Sequence, residues 1–311
     1  MRLAIRTMAA IDAAMQKDQG AKYRGLLKEL MPLSSDAYDT REEDWRDHLG
    51  ASLIGRDCPR EIWYGFHWAT KPHFDGRMLR LFNRGHLEEP RMIALLMLIG
   101  CQVWQLNSDG KQFRIKGHRG HFGGSLDGVV RGIPDMPDET MLGEFKTHND
   151  KSFTTLTEDG VINAKWEHFI QMQEYMGKYH LNYALYCATN KNTDAIHMEI
   201  VQFDQVQYQR YLDRSAMIID ATEPPPRIGD TPGFYKCKFC DHVKVCHLKE
   251  TPVVNCRTCL HSQVEDNGEW RCTNFELVSP TFDWDGYLTP ETQRRSDCPF
   301  YTPNPVFHNK V

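Results

Sequence analysis

The segment MLGEFKTHND, residues 141–150, places a carboxylate and an ammonium two positions apart in an apolar run. Because strand side chains alternate, Glu144 and Lys146 would share one face of a strand and Phe145 would point to the other. Charged side chains are seldom buried unless they are paired or bind a metal. The pattern therefore indicates either a surface ion pair or a site where both groups act on one substrate.

A second carboxylate, Asp127, lies 17 residues before Glu144 in GGSLDGVV, where flanking glycines permit close approach. We predict that Asp127 and Glu144 lie side by side on adjacent strands. Two such carboxylates repel each other unless a cation lies between them. Mg²⁺ or Mn²⁺ would bind them together with phosphate oxygens and would activate a water. Lys146 would orient or help deprotonate that water, or stabilise developing charge.

Two helical segments complete the set. RGHLEEP supplies Glu88 and Glu89, and HFIQMQEYM places Gln171 and Tyr175 four positions apart, on one helical face. The order RG…EEP, GGSLDG, GEFK, QMQEY resembles the PD-(D/E)xK nuclease superfamily, and within it the RecB-type and phage recombination exonuclease branch. The resemblance covers roughly residues 50–215.

The resemblance implies a restriction-endonuclease-like core and metal-dependent cleavage of DNA. By this resemblance, Glu89, Asp127 and Glu144 would bind the metal, and Lys146 would be the catalytic lysine. Gln171 and Tyr175 would lie on a helix that contacts the DNA backbone and braces the site. Two registers stay open, since Glu88 could take the place of Glu89, and Gln173 that of Gln171.

Four histidines lie near these motifs: His86, His118, His121 and His148. Solvated or hydrogen-bonded imidazoles are the ordinary interpretation of each. His121 and His148 could reach the site from strand ends.

Ten cysteines are many for a chain of 311 residues, and seven of them fall within residues 237–298. Without a secretory signal, such clustering favours metal binding over disulfides. Three thiols in CKFCDHVKVC follow the nuclease motifs and one, in DCPREIWY, precedes them. This layout resembles the RecB-type iron–sulfur nucleases, including the AddB subunit and CRISPR-associated exonucleases. The resemblance implies a structural [4Fe–4S] cluster on Cys58, Cys237, Cys240 and Cys246.

The remaining thiols allow two partitions. In the first, a Zn²⁺ ion binds the four cysteines that the cluster leaves over, with His261 able to replace one: Cys256, Cys259, Cys272 and Cys298. In the second, Cys237 and Cys240 join Cys256 and Cys259 in a zinc ribbon. We favour the first, because the second leaves Cys58 and Cys246 over. Cys101 and Cys187 lie in apolar segments and are expected in the core.

The composition is that of a globular protein, with 41% hydrophobic and 25% charged residues and no apolar run long enough to span a membrane. We interpret the N-terminal segment as an amphipathic helix and not a signal peptide, and we expect a cytoplasmic protein (in the host cytoplasm if the chain is phage-encoded). A net charge of −5 argues against a general polyanion coat. Residues 51–87, however, carry six Lys or Arg against three acids, with interleaved aromatics. Two interpretations stay open and are compatible: a surface that binds phosphates and stacked bases, and an amphipathic helix, REIWYGFHWA, that buries its aromatics.

Hydrophobic periodicity predicts the element order α, β, β, β, β, α, β, β, α, an α/β fold with a mixed sheet flanked by helices. It predicts a hairpin turning at Asp109-Gly110, with strands at 102–107 and 111–116, and one strand over GGSLDGVVRG. The expected domains are an N-terminal helical region, 1–49, a nuclease core, 50–249, and a zinc-binding module, 250–311. Aromatics of the last module are expected to pack around its metal: Trp270, Phe275, Phe282, Trp284 and Tyr287.

The function that these expectations favour is a Mg²⁺- or Mn²⁺-dependent DNA exonuclease of recombination or repair, similar to stand-alone phage or CRISPR-type nucleases. Its expected partners are DNA, through single- or double-stranded ends, and a recombination protein, with no membrane. Two alternatives stay open: a structure-specific endonuclease, and a non-catalytic platform that binds DNA ends or protein.

Overall fold

The structure is a computed structural model that describes residues 1–40, 45–275 and 285–307. The chain forms two compact units. The first, the sheet unit, comprises 1–42, 74–115 and 125–209, and the second, the cysteine unit, comprises 43–73, 116–124 and 210–311. The two units interleave along the chain, whereas the expected domain boundaries divide it into consecutive blocks. The N-terminal helices belong to the sheet unit.

The helices are α1 (Ile5–Lys17), α2 (Ala21–Leu30), α3 (Pro59–Phe66), α4 (Gly76–Leu98), α5 (Asp150–Ala164), α6 (Trp166–Tyr179), α7 (Gln205–Asp220), α8 (Val243–Leu248) and α9 (Pro290–Gln293). The strands are β1 (Leu49–Gly50), β2 (Gln102–Trp104), β3 (Arg114–Gly117), β4 (Phe122–Ser125), β5 (Gly128–Ile133), β6 (Met136–His148), β7 (Tyr183–Asn190), β8 (Ile196–Gln202), β9 (Ser262–Val264), β10 (Trp270–Cys272) and β11 (Tyr287–Leu288).

A five-stranded sheet in the order β2-β5-β6-β7-β8 forms the centre of the sheet unit. β6 and β7 are parallel, and the other neighbours are antiparallel. Helices α1 and α4 pack on the face that carries Phe145, and α5 and α6 contact β6 and β7. The predicted mixed sheet flanked by helices is therefore confirmed.

The core of the sheet unit lies between its sheet and helices α1 and α4. Met92, Ile93 and Leu96 from α4 meet Phe145 and Leu185 from the strands, and all five are at most 5% exposed. Cys101 and Cys187 are free thiols in the same core. Because Phe145 is held by this packing, its neighbours in the strand face the opposite side of the sheet.

Helix α4 continues through Pro90, which cannot donate the backbone hydrogen bond to residue 86 that a helix normally makes. The hydroxyl of Ser34 donates to the freed carbonyl of His86 instead, at 3.2 Å. Asp75 caps the helix by accepting from the amide of Met78 at 2.7 Å. The helix thus carries Glu88 and Glu89 without a break.

The predicted hairpin forms only at its turn. The amide of Asn107 donates to the carbonyl of Lys111 at 2.8 Å, and Leu106 pairs with Gln112 in an antiparallel bridge. Farther along the arms, strand β2 pairs with β5 instead, with Val103 opposite Val130. The segment GGSLDGVVRG is also two strands, β4 and β5, and Asp127 lies in the two-residue link between them. A helix not predicted, α5, begins after Asn149, whose side chain accepts from the amide of Ser152 at 2.8 Å.

The cysteine unit is built around buried aromatic rings. Of the two interpretations of the aromatics in segment 51–87, the structure confirms burial in the core, because four of these rings are at most 3% exposed: Trp63, Tyr64, Phe66 and Trp68. Arg257 lies among them, with its guanidinium 3.7 Å from the Trp68 ring centroid. It donates to the carbonyls of Phe66 and Asp47, both at 2.9 Å, which satisfies the buried charge.

The cysteine unit also contains two small sheets. One has the order β1-β4-β3, with β1 and β4 parallel, and the other is the antiparallel sheet β11-β10-β9. Trp270, on β10, is 1% exposed. The expectation for Phe282 and Trp284 falls outside the described residues. Among the residues that are described, no helix has the length and apolar character needed to cross a membrane.

Candidate functional site

A carboxylate–lysine cluster lies at the junction of β5 and β6. Lys146 Nζ contacts a carboxylate oxygen of Glu144 and lies 3.7 Å from Oδ2 of Asp127. The same oxygen of Asp127 accepts from the amide of Phe145 at 2.8 Å. Gly128 pairs with Gly143 across the strands, which brings the link that holds Asp127 next to β6. The structure therefore places Asp127, Glu144 and Lys146 together.

Burial dominates the electrostatics of this cluster. Burial, opposed by the charge of Lys146 and reinforced by that of Asp127, raises the pKa of Glu144 to about 7. Burial alone would lower the pKa of Lys146, but Asp127 and Glu144 outweigh it and the pKa of Lys146 rises. Lys146 is thus an ammonium near neutral pH, while Glu144 exchanges its proton there.

Glu89, and not Glu88, belongs to this electrostatic cluster. Burial raises the pKa of Glu89 to about 8, followed by the charge of Asp127 and opposed by that of Lys146. Glu88 is buried elsewhere on the helix and forms an ion pair with Arg91 at 3.3 Å. Glu89, Asp127 and Glu144 therefore lie in one electrostatic cluster with the ammonium of Lys146, and Asp36 adds to the negative charge that acts on Glu89. A second cation would relieve this arrangement.

Helix α6 presents Gln171 and Tyr175 to the same cluster. The side-chain amide of Gln171 donates to Tyr175 Oη at 3.3 Å, and both residues are buried. Burial and then the charge of Glu144 raise the pKa of Tyr175. Gln173 points elsewhere, because it accepts from the amide of Asp204 at 2.7 Å. The register with Gln171 is the one that contacts Tyr175, whose pKa is affected by the charge of Glu144.

The donor set fits a hard divalent cation. Oε2 of Glu144 is fully buried and receives no hydrogen bond from the described residues. Glu89, Asp127 and Glu144 offer the carboxylate oxygens that Mg²⁺ and Mn²⁺ prefer. Within residues 1–40, 45–275 and 285–307, no group of three or more His, Cys, Asp or Glu side chains is spaced to hold a metal ion as placed. Lys146 is the cation that contacts these acids.

The histidines near the motifs divide between the units. His148 lies on β6 and is hydrogen-bonded to Ser152 and to Tyr186. His118 and His121 belong to the cysteine unit, where His118 pairs with Asp220 at 2.7 Å and His121 contacts the carbonyl of Glu265 at 2.7 Å. His86 is a residue of α4.

Four thiols of the cysteine unit line one cavity: Cys58, Cys237, Cys240 and Cys246. Burial, reinforced by the charges of Glu61, Cys58 and Cys246, raises the pKa of Cys240 to about 12. Arg60 and Arg227 line the same cavity. Cys58 also caps α3, accepting from the amide of Glu61 at 3.4 Å.

A second cavity is lined by the other four thiols of the cysteine-rich segment together with His261: Cys256, Cys259, Cys272 and Cys298. Burial, reinforced by the other three thiols, raises the pKa of Cys256 to about 12. Cys237 and Cys240 therefore lie in one cavity and Cys256 and Cys259 in the other, which is not the grouping of a zinc ribbon. All ten cysteines are free thiols.

Two residues beside the cluster were missed in the sequence, His168 and Tyr186. Tyr186 lies opposite Glu144 in the parallel pair of β6 and β7, and His168 precedes Gln171 by one turn of α6. Helical spacing would have found His168, because positions 168, 171 and 175 share a face. Tyr186 depends on strand pairing, which the sequence does not specify.

Comparison with known proteins gives distant structural similarity only. No family model matches the sequence, and no curated protein matches it. The crystal structure of SSO0001 is 15% identical, with a TM-score of 0.37 over 72% of this chain and 97% of that chain. The alkaline exonuclease LHK-Exo from Laribacter hongkongensis is 15% identical, with a TM-score of 0.38 over 56% of this chain and 86% of that chain.

A second structure of LHK-Exo, in complex with dAMP, is 14% identical, with a TM-score of 0.39 over 62% of this chain and 90% of that chain. TM-scores of this size do not establish a shared fold. The function proposed below therefore depends on the residues of the site.

Proposed function

We propose that the protein is a metal-dependent deoxyribonuclease of the PD-(D/E)xK type, acting as an exonuclease in recombination or repair. The supporting observation is the convergence of Asp127 and Glu144 on Lys146, with Glu89 close enough to be affected by their charges. A buried excess of carboxylates is costly unless a cation is bound, so the site is suited to a divalent ion and an anionic substrate.

Each residue has a role in hydrolysis. Glu89, Asp127 and Glu144 would hold Mg²⁺ or Mn²⁺, which when bound polarises the phosphate and makes water a stronger nucleophile. Lys146 is protonated as placed, so it would donate to the attacking water or to a phosphate oxygen and stabilise the charge that develops there. Gln171 and Tyr175 would hold the backbone of the DNA strand beside the acids. Water would attack the phosphorus and lose a proton to solvent, and the deoxyribose oxygen would leave and take up a proton from solvent as a hydroxyl, with no covalent enzyme intermediate.

Digestion of DNA tests this proposal. Wild type should degrade end-labelled linear DNA in Mg²⁺ or Mn²⁺, and Lys146→Ala should lose at least about 100-fold of that activity, as expected for removing a preorganised charge at the reacting centre. Lys151→Ala, an exposed lysine at the start of α5, is the matched control and should behave as wild type.

Substrate form separates the alternatives. Rapid cleavage of circular single-stranded DNA would identify an endonuclease instead. DNA binding without cleavage by either wild type or Lys146→Ala in any divalent ion would identify a platform.

We further propose a [4Fe–4S] cluster on Cys58, Cys237, Cys240 and Cys246 and a Zn²⁺ ion on the second set of thiols, Cys256, Cys259, Cys272 and Cys298. The two cavities, each lined by one set, support this division. Such sites would stabilise the cysteine unit by cross-linking segments far apart in the chain.

Elemental analysis of anaerobically purified protein tests the division. Wild type should contain about four iron and one zinc per chain. Cys237→Ser with Cys240→Ser should lose the iron and the brown colour and keep the zinc, and Cys256→Ser with Cys259→Ser should do the reverse. Loss of the same metal in both double variants would support a zinc ribbon.

A further inference from the structure

The sheet face that carries Glu144 and Lys146 also carries two residues that the nuclease motifs do not include. His148 is the next residue on that face of β6, and Tyr186 is the register partner of Glu144 on β7. Helix α6, which contacts β6 and β7, carries His168 on the same helical face as Gln171. The three rings lie close together, with the His168 and Tyr186 ring centroids 5.9 Å apart.

These rings belong to a continuous chain of hydrogen bonds within the sheet unit. Lys165 Nζ is 2.6 Å from Ser152 Oγ, and Ser152 Oγ is 3.1 Å from Nδ1 of His148. Tyr186 Oη then lies 2.9 Å from Nε2 of His148 and 2.9 Å from Nδ1 of His168. We call this chain the Lys165–His168 relay.

The hydrogen bonds of the relay allow two directions of donation, because a hydroxyl can accept twice and donate once. An ammonium only donates, so Ser152 Oγ accepts from Lys165 in both directions. In one direction Ser152 donates to Nδ1 of His148, Nε2 of His148 donates to Tyr186 Oη, and Tyr186 donates to Nδ1 of His168. This direction uses the hydrogen of both hydroxyls within the relay, whereas the reverse leaves the hydrogen of Ser152 without a partner in it. It places the hydrogen of the neutral His168 ring on Nε2.

Burial keeps these rings in the states that the relay requires. Together with the charge of Lys146, burial lowers the pKa of His148 to about 4 and that of His168 to about 2. Burial also raises the pKa of Tyr186, so its hydroxyl keeps its hydrogen. Nε2 of His168 has no hydrogen-bond partner among the described residues, and the residue is partly exposed.

We propose that His168 is a further substrate-binding residue, which donates from Nε2 to a phosphate oxygen of the DNA strand, and that Tyr186 and His148 are positioning residues that fix its tautomer and orientation. The inference rests on the proposed nuclease function, because the anion that it binds is the substrate of that site. A neutral donor suits this position, since Lys146 already supplies a positive charge there.

Two amide substitutions at His168 separate substrate binding from a structural role. The amide nitrogen of asparagine takes roughly the place of Nδ1 of histidine, and that of glutamine roughly the place of Nε2. His168→Gln should therefore keep the donor to DNA, with kcat/KM within about fivefold of wild type. His168→Asn should fall like His168→Ala, by about 10- to 100-fold, the range expected for losing one hydrogen bond to a charged oxygen. The reverse order would overturn the proposal, because it would show that the bond to Tyr186 is what matters.

A double-mutant cycle tests the positioning role. Tyr186→Phe removes only the hydroxyl and should lower kcat/KM by about 3- to 10-fold in the wild-type background. Because the hydroxyl acts through His168, the same change should have no further effect in His168→Ala. Equal effects of Tyr186→Phe in both backgrounds would overturn the positioning role.

Failure of this inference can be told apart from failure of the proposed function. Binding of an end-labelled oligonucleotide is measured in Ca²⁺, which is expected to support binding without rapid turnover, alongside cleavage in Mg²⁺. If Lys146→Ala is inactive and all three His168 variants bind and cleave as wild type, only the inference fails. If wild type neither binds nor cleaves DNA, the proposed function fails.

Discussion

Raising the pH from 6.5 to 8.5 without a divalent cation should destabilise the sheet unit, and the acid cluster at Lys146 is one cause of this loss. The pKa of Glu89 is about 8 and that of Glu144 about 7 in the folded protein, against 4.5 for an unperturbed glutamate. Both folded-state values are raised, so the folded state holds protons that the unfolded chain has released. Stability therefore falls as the pH rises through these values.

The size of this loss of stability follows from the part of the pKa shift of Glu89 that lies above pH 6.5. Between pH 6.5 and about 8, the raised pKa of Glu89 corresponds to about 2 kcal/mol, at 1.36 kcal/mol per pH unit. The lower limit is set at pH 6.5 because burial lowers the pKa of His148 and His168. Below that pH their protonation on unfolding makes stability rise with pH and would mask the acids.

Hydrogen exchange of peptides from 136–148 and 166–179 reports on the sheet unit by itself. Glu89→Gln should remove about 2 kcal/mol of the pH-dependent loss between pH 6.5 and 8.5. The loss that remains in this variant comes from Glu144 and from Glu174 on α6, whose pKa burial also raises to about 8. Glu158→Gln, an exposed glutamate on α5, is the matched control and should follow wild type. Mg²⁺ at about 100 times its Kd should restore about 2.7 kcal/mol at pH 8.5, and much less at pH 6.5, where the acids are largely protonated.

Equal pH dependence of Glu89→Gln and wild type would refute this reasoning. It would mean that Glu89 is solvated and not part of the charge cluster. A Mg²⁺ effect of the same size at both pH values would show that the ion binds elsewhere.

Three further predictions concern packing and backbone. Gly120→Ala should lower the free energy of unfolding by more than about 3 kcal/mol, because φ is +82° and the new Cβ would lie 2.5 Å from the amide nitrogen of Gly268. Gly100→Ala, where φ is +91° and the space is open, should lower it by about 1 kcal/mol. Local hydrogen exchange distinguishes the two variants. Arg257→Met should cost about 3 kcal/mol by leaving its buried carbonyl partners without a donor, which thermal unfolding at fixed metal content measures. Gly143→Ala should lower kcat about tenfold with little change in melting temperature, because its Cβ would press on the Phe145 ring at 3.1 Å and shift the backbone beside Asp127.

Local patterns in the sequence were sufficient for the elements that carry the site. The alternation around Glu144 and the helical spacing of Gln171 and Tyr175 depend on residues close in the chain, and both appear in the structure. The mixed sheet with flanking helices follows from the order of such elements.

Pairing between distant segments could not be predicted in the same way. Strand β2 has only three residues, so its propensity does not choose between an adjacent partner and β5, which has the longer apolar surface. The Lys165–His168 relay could not be predicted for the same reason, because the parallel register of β6 and β7 is what brings Tyr186 to His148. The interleaving of the two units likewise depends on contacts between distant segments.

The amide of Phe145, which donates to Asp127, lies between Glu144 and Lys146 of β6. The acid from the neighbouring link is thus attached to the same short piece of backbone that bears the other acid and the amine. When the sheet bends or twists, we expect these three groups to move together and keep their spacing. Fluctuations of the surrounding helices would then change how a substrate approaches without altering the arrangement that we propose cuts it.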